Sequence, residues 1–174
     1  MANKFELTNV GITNLSNKAL KADLQSIAGA ILSASKCTWD IAYHLDRILT
    51  MESFKDDFET AEKLYDFMGM KKANATQYIK AFRFMKSQKQ VPFFKNGNPD
   101  TSKIKGSVAL AYLLYGLKEK GELDEFEKWF AKYSDNISVY DVSVAYLKKA
   151  IDEFHNPETA DSKKDSKKDS KNKK

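Results

Sequence analysis

Cysteine, histidine, proline and glycine are all scarce in these 174 residues, and each shortage closes off a class of protein. One cysteine, Cys37, cannot close an internal disulfide, and with only His44 and His155 beside it the chain lacks the ligands of a structural zinc site. Three prolines and seven glycines are too few for a chain of many tight turns, so a β-sandwich is not expected. Nowhere do 18 apolar residues stand together, and the opening Met1-Ala2-Asn3-Lys4-Phe5-Glu6 is charged and leads into no apolar run of signal-peptide length. Neither membrane association nor secretion is expected, and a reducing cytoplasmic setting is. Also missing are a glycine-rich phosphate loop and a Gly-x-Ser-x-Gly elbow. Cys37 and His44 are seven apart, but Cys37 beside Trp39 and Ile41 reads as a small buried thiol. His44 with Asp40 and Arg47 at helical spacing reads as a surface ion-pair cluster. Asp56, Asp57 and Glu59 have no EF-hand loop around them. No enzyme, no cofactor and no metal site is expected.

What is present is 42% hydrophobic and 30% charged residues, the former recurring at helical spacing. An all-α, multi-helix fold follows. Ser16 or Asn17 can cap a helix carrying Ala19, Leu20, Leu24, Ile27, Ala28, Ile31 and Leu32 inward, and the pattern resumes from Trp39 to Leu49 with at most a kink between. A short helix over about 59–68 ends at Gly69, and a second over about 71–88 buries Ala75, Tyr78, Ile79, Phe82 and Met85. Val91 to Asp100, with Pro and Gly, reads as the one substantial loop. Three further helices fit 105–118, 122–133 and 139–154, the last capped by Ser138 with Asp141 completing a capping box. Beyond Pro157 the Asp-Ser-Lys-Lys motif repeats with no apolar residue after Ala160, the composition of a disordered basic tail. The expected organisation is a lead over 1–16, a helical domain over 17–104, C-terminal helices over 105–155 offering a dimer surface, and a tail over 156–174.

Charge is partitioned along the chain. Residues 1–70 hold 7 basic and 10 acidic side chains and residues 106–157 hold 6 and 9, while residues 71–105 hold nine basic groups against Asp100 alone. A solvated lysine-rich face would account for the charge, and so would a surface that meets polyanions. The surrounding pattern bears on the choice. A short helix, a glycine turn and a more basic second helix form the layout of a helix-turn-helix, here over 59–86. With its apolar stripe assigned inward, the second helix leaves Asn74, Thr76, Gln77, Lys80, Arg83 and Lys86 outward, and no acid stands between Lys71 and Pro99. Asn and Gln pair with adenine, Thr meets a thymine methyl, and Lys and Arg hold phosphates or guanine.

Residues 58–82 also resemble the helix-turn-helix segment of small phage and mobile-element proteins of low-GC bacteria, similar in turn to ParB/KorB-type DNA-binding domains. In that pattern "Leu-Gly-Ile-Ser" leads into "Ser-Thr-Ala-x-x-Tyr-Ile"; here Met68-Gly69-Met70-Lys71 leads into Asn74-Ala75-Thr76-Gln77-Tyr78-Ile79. The layout extends loosely over 20–155. The usual Ser or Thr cap falls on Lys71, which cannot accept a hydrogen bond and sets a positive charge at the positive end of the helix dipole.

The resemblance implies a DNA-binding regulator, or a partition or replication accessory, of a phage or plasmid, nucleoid-associated in the host cytoplasm and paired as a homodimer. Asn74, Thr76, Gln77, Lys80 and Arg83 are expected at base edges or backbone, and Lys71, Lys72, Lys86, Lys89, Lys103 and Lys105 at phosphates. The alternative from another class is an anti-defence inhibitor of the anti-CRISPR kind, which would turn the same basic surface on a host nuclease or its nucleic acid. Phe82, Phe84, Phe93 and Phe94 interleave with Arg83, Lys86, Lys89 and Lys95, a composition suited to stacking single-stranded bases. Phe84 and Phe94 are the two expected at the surface.

Overall fold

Asn17 begins the first helix, α1 (Lys18–Leu32), by accepting hydrogen bonds at its side-chain oxygen from the N–H groups of Ala19 and Leu20 at 3.0 and 3.1 Å. Those are donors that no preceding turn of helix can satisfy. Its amide donates to Ser53 Oγ at 2.6 Å and its backbone N–H to Asp57 Oδ2 at 3.2 Å, so the helix start is pinned to the turn that follows α2 (Thr38–Thr50). The computed structural model describes residues 15, 17–32 and 38–157. Most of the expected lead, Cys37 and the tail from residue 158 lie outside the described residues, as do the side chains of Ala28, Ile31 and Leu32.

The expected kink between α1 and α2 is a reversal. Asp23 on α1 accepts from His44 Nδ1 on α2 at 2.8 Å, although a continuous helix would set residues that far apart in sequence about 30 Å apart. The two helices therefore run antiparallel, burying Leu20, Leu24 and Ile27 against Ile41, Leu45 and Ile48. Ala19, expected inward, is exposed.

After the single turn α3 (Phe54–Asp57), Thr60 caps α4 (Ala61–Phe67) by accepting from Lys63 N–H at 3.3 Å. Gly69, at φ 63°, ends the helix while Met70 N–H reaches back to Tyr65 O at 2.9 Å, and α5 (Lys72–Ser87) follows at once. The same closure recurs at the end of α5 with Lys89 at φ 56° and Gln90 N–H on Met85 O at 2.9 Å, at the end of α6 (Val108–Glu119) with Gly121 at φ 75° and Glu122 N–H on Leu117 O at 2.9 Å, and after the helix Leu123–Tyr133 with Asp135 at φ 53° and Asn136 N–H on Ala131 O at 2.8 Å.

Helix α5 packs most extensively on α2 and buries more than its predicted stripe. Ala75, Ile79, Phe82 and Met85 are inside, and so are Ala81 and Phe84. Between α5 and the 3-10 turn Thr101–Lys103, residues 92–100 fold back on themselves: Phe93 bridges Pro99, Phe94 N–H donates to Asn98 O at 2.8 Å, and Asp100 N–H to Pro92 O at 2.8 Å. Phe94 is exposed as expected, Phe93 is exposed where core was expected, and Phe84 is buried where exposure was expected. Trp39 Nε1 donates to Gly106 O at 3.0 Å, so the segment beyond residue 104 is fastened to α2.

The chain divides into two compact units between Tyr115 and Gly116, within α6. Helix α6 buries Val108, Leu110, Ala111, Leu114 and Leu117, while Tyr112, in the same apolar stretch, is exposed; a segment apolar on nearly every side gives periodicity no phase to find. In the second unit α7 (Leu123–Tyr133) and α8 (Val144–His155) meet through rings. Phe126 meets Phe154 edge-on at 5.4 Å and Phe130 meets Tyr146 edge-on at 6.1 Å. Burial and a hydrogen bond with Glu153 push the Tyr133 hydroxyl up to about 12. The final helix starts five residues later than expected, because Ser143, accepting from Tyr146 N–H at 3.1 Å, is its cap. Ser138 holds a turn instead, accepting from Tyr140 and Asp141 N–H through its hydroxyl and carbonyl.

Among the described residues the protein is all-helical, with eight α-helices, one 3-10 turn and no strand beyond the isolated bridge. No helix among them is long and apolar enough to cross a membrane.

Candidate nucleic-acid interface

Two strips on α5 decide which of the expected residues are free to meet a ligand. Gln77 stands one turn before Ala81 and two before Phe84, and Asn74 one turn before Gln77. Since Ala81 and Phe84 are buried, this strip faces inward, and Asn74 and Gln77 are half-buried beside Thr38, Ser107 and Val108 in a shallow cleft. Asn74 and Gln77, expected on the outward face, thus sit half-buried at the flank of the packed strip. The opposite strip is open and carries Lys72, Thr76, Arg83 and Lys86, of which Thr76 is half-buried and the others exposed.

Several cations are already engaged. Lys72 Nζ donates to Glu62 Oε1 at 2.6 Å across the Gly69 turn, which raises the lysine and holds the Glu62 carboxyl below its ordinary range. Lys80, half-buried, lies 5.0 Å from the centre of the Tyr115 ring. Arg83 Nε donates to Asp46 Oδ1 at 2.5 Å, and Lys103 Nζ pairs with Asp100 at 3.0 Å. The Asp100 carboxyl is held low first by the Ser102 hydroxyl and then by Lys103. Lys105 is exposed.

Lys71, Lys86, Lys89 and Lys95 are exposed and make no ion pair with any described residue. Lys71 stands at the start of α5 with no side chain capping the helix and no acid in its first turn. The other three gather at its far end and on the loop that follows. The expected constellation is thus only partly assembled: apart from Lys71, the exposed, unpaired charge lies at the C-terminal half of α5 and on residues 89–95, beyond the amides expected to read bases.

One contributor to this surface escaped the sequence reading. Arg47, on α2, lies with Tyr43, Phe82, Lys86 and Phe93 around a cleft beside the 92–100 loop, and its Nη1 approaches the Tyr43 hydroxyl at 3.5 Å. Its partner is Asp23 at 3.4 Å, buried on α1, while Asp40, the expected partner, accepts from Thr101 Oγ1. Nothing local marks Arg47 as part of this surface; only the α1–α2 reversal and the packing of α5 on α2 bring it there. The expected His44–Arg47 cluster does exist, but around a buried carboxylate.

No known protein family, no curated protein and no solved structure matches the chain.

Proposed function

We propose that the protein binds nucleic acid, DNA in the first place, through the outer strip of α5 and the loop after it. The observation that carries this reading is the run of exposed cations Arg83, Lys86, Lys89 and Lys95 in a stretch with no acid between Asp66 and Asp100. A merely solvated helix face gains little from charge of one sign, because like charges one turn apart repel. Facing a phosphate backbone, the same charges release condensed counterions, and affinity then falls steeply with salt. The helix-turn-helix layout of α4, Gly69 and α5 supports major-groove entry by the strip of Lys72, Thr76 and Arg83, with Lys71 and the uncapped start of α5 suited to a phosphate. The role as a phage or plasmid regulator, or partition or replication accessory, rests on the resemblance of residues 58–82 alone.

The test is fluorescence anisotropy with random-sequence duplex DNA across a salt series. Wild-type protein is expected to show a steep slope of log affinity against log salt, and Lys86→Ala with Lys89→Ala to flatten it by about two while weakening every sequence alike. Binding that is absent, or indifferent to salt and to both lysines, overturns the proposal.

A further inference from the structure

The cleft between α2, α5 and the 92–100 loop has a composition that phosphate binding does not explain. Phe82 and Tyr43, their rings 5.8 Å apart, form its floor; Phe93 closes one side; Arg47 and Lys86 stand at its edge. Phe93 and its neighbour Phe94 are the most exposed large apolar side chains among the described residues, at 55% and 53%. The backbone that carries them is fastened by three hydrogen bonds, Gly97 N–H to Phe94 O at 2.9 Å among them, so the rings are held outward by ordered structure. Holding two phenyl rings in water is unfavourable unless something covers them.

We infer that this cleft is a stacking site for unpaired bases of a single-stranded nucleic acid, one base lodging between Phe93 and the Tyr43–Phe82 floor and a neighbour stacking on Phe94. The inference rests on the nucleic-acid reading above and adds which form of nucleic acid is preferred. Charge and shape favour this occupant. Rings and cations line the same cleft, as a strand carries bases and phosphates together, and a duplex hides its base faces and offers only edges. Asp46, the one carboxylate in the cleft, does not repel phosphate as a bare charge would: its Oδ1 is taken by Arg83, and its other oxygen can accept from a base N–H. An apolar peptide would cover the rings equally well but leaves Lys86 and Lys95 without a counter-charge.

The experiment compares a fluorescein-labelled single strand of about 15 nucleotides with the same sequence as a duplex, since single-strand sites on one domain span roughly 4–16 nucleotides. Wild-type protein should bind the single strand more tightly. Phe93→Ala with Phe94→Ala should lower that affinity about tenfold, within the roughly fivefold to hundredfold loss that removal of a base-stacking ring produces, and should leave duplex affinity within about twofold. Phe93→Tyr with Phe94→Tyr should retain single-strand binding, whereas the leucine pair, apolar but without a ring face, should behave as the alanine pair. A 2-aminopurine placed in the strand should change its emission on binding wild type and not on binding the leucine pair. Equal losses on single strand and duplex would mean that the rings wedge into a duplex, and loss on neither would mean that they touch no base; each overturns the inference while salt-dependent duplex binding upholds the reading beneath it. Failure of every nucleic acid to bind removes both.

Discussion

The two units bury themselves with different side chains. The first centres on aliphatic residues, with Leu20, Leu24, Ile27, Leu45, Ile48 and Leu64 inaccessible to solvent and Phe54, Phe58, Phe82 and Phe84 buried around them, and it carries its acid-free run of cations on one helix face and one loop. The second closes around rings from α7 and α8, and its described residues carry nine acidic side chains against six basic ones. The difference separates two tasks. The aliphatic centre of the first unit imposes few orientational demands, and α5 buries two strips there while presenting a cationic third, whereas the rings of α7 and α8 meet one another edge-on. A polyanion has reason to meet the first unit and little reason to meet the second.

The sharpest way to break this comparison is at Phe126, which is fully buried and meets Trp129, Phe130 and Phe154. Phe126→Ala should cost about 4 kcal/mol of stability. Because each unit contains one tryptophan, thermal melts of the Trp39→Phe and Trp129→Phe backgrounds resolve where the loss falls. The Trp129 signal should melt earlier and the Trp39 signal should not; a common shift would show that the two cores unfold as one.

Smaller, and confined to the first unit, is the effect of Asp23. This carboxylate is 2% exposed and holds both His44 and Arg47, so Asp23→Ala should cost about 2 kcal/mol in urea denaturation, the scale of a buried hydrogen bond to a charged group. It also frees Arg47 from its anchor beside the cleft. A loss within a few tenths of a kcal/mol would mean that solvent replaces Asp23 without penalty. Smallest of all is the change expected at Gln77. Lying on the packed flank of α5, Gln77→Ala should leave DNA affinity within about twofold and base preference unaltered, whereas a residue that reads a base edge would relax preference by about 1–3 kcal/mol. A selection experiment on randomised duplexes distinguishes the two.

Much of this architecture was readable from residue order. The Gly69 turn, the span of α5 within a residue at either end, and the exposed Phe94 follow from local rules: a left-handed stop, a 3.6-residue period, a Pro–Gly break. What escaped depends on partners distant in sequence. The reversal between α1 and α2 leaves no proline or glycine signature at Ser35-Lys36-Cys37-Thr38, so two helices read as one. The second buried strip of α5 is invisible because Ala81 is too small to weigh in a period and Phe84 stands alone on it. Ser138 and Ser143 carry equally good capping side chains, and the choice is made by the turns of residues 138–142. Arg47 enters the cleft by tertiary packing, which no periodicity encodes.

The end of α5 bears on how this surface could change over time. Four helices close on a left-handed residue, and two of them use glycine there; α7 uses Asp135 and α5 uses Lys89. A glycine would relieve a conformational penalty of roughly 1 kcal/mol at that point. Substitutions toward stability and substitutions toward a stronger positive surface therefore pull in opposite directions at this one position. On the proposed reading, a lineage released from the need to hold a polyanion would be expected to drift to glycine at residue 89 first, so the residue found there in a related chain would serve as a historical marker of whether that lineage holds one.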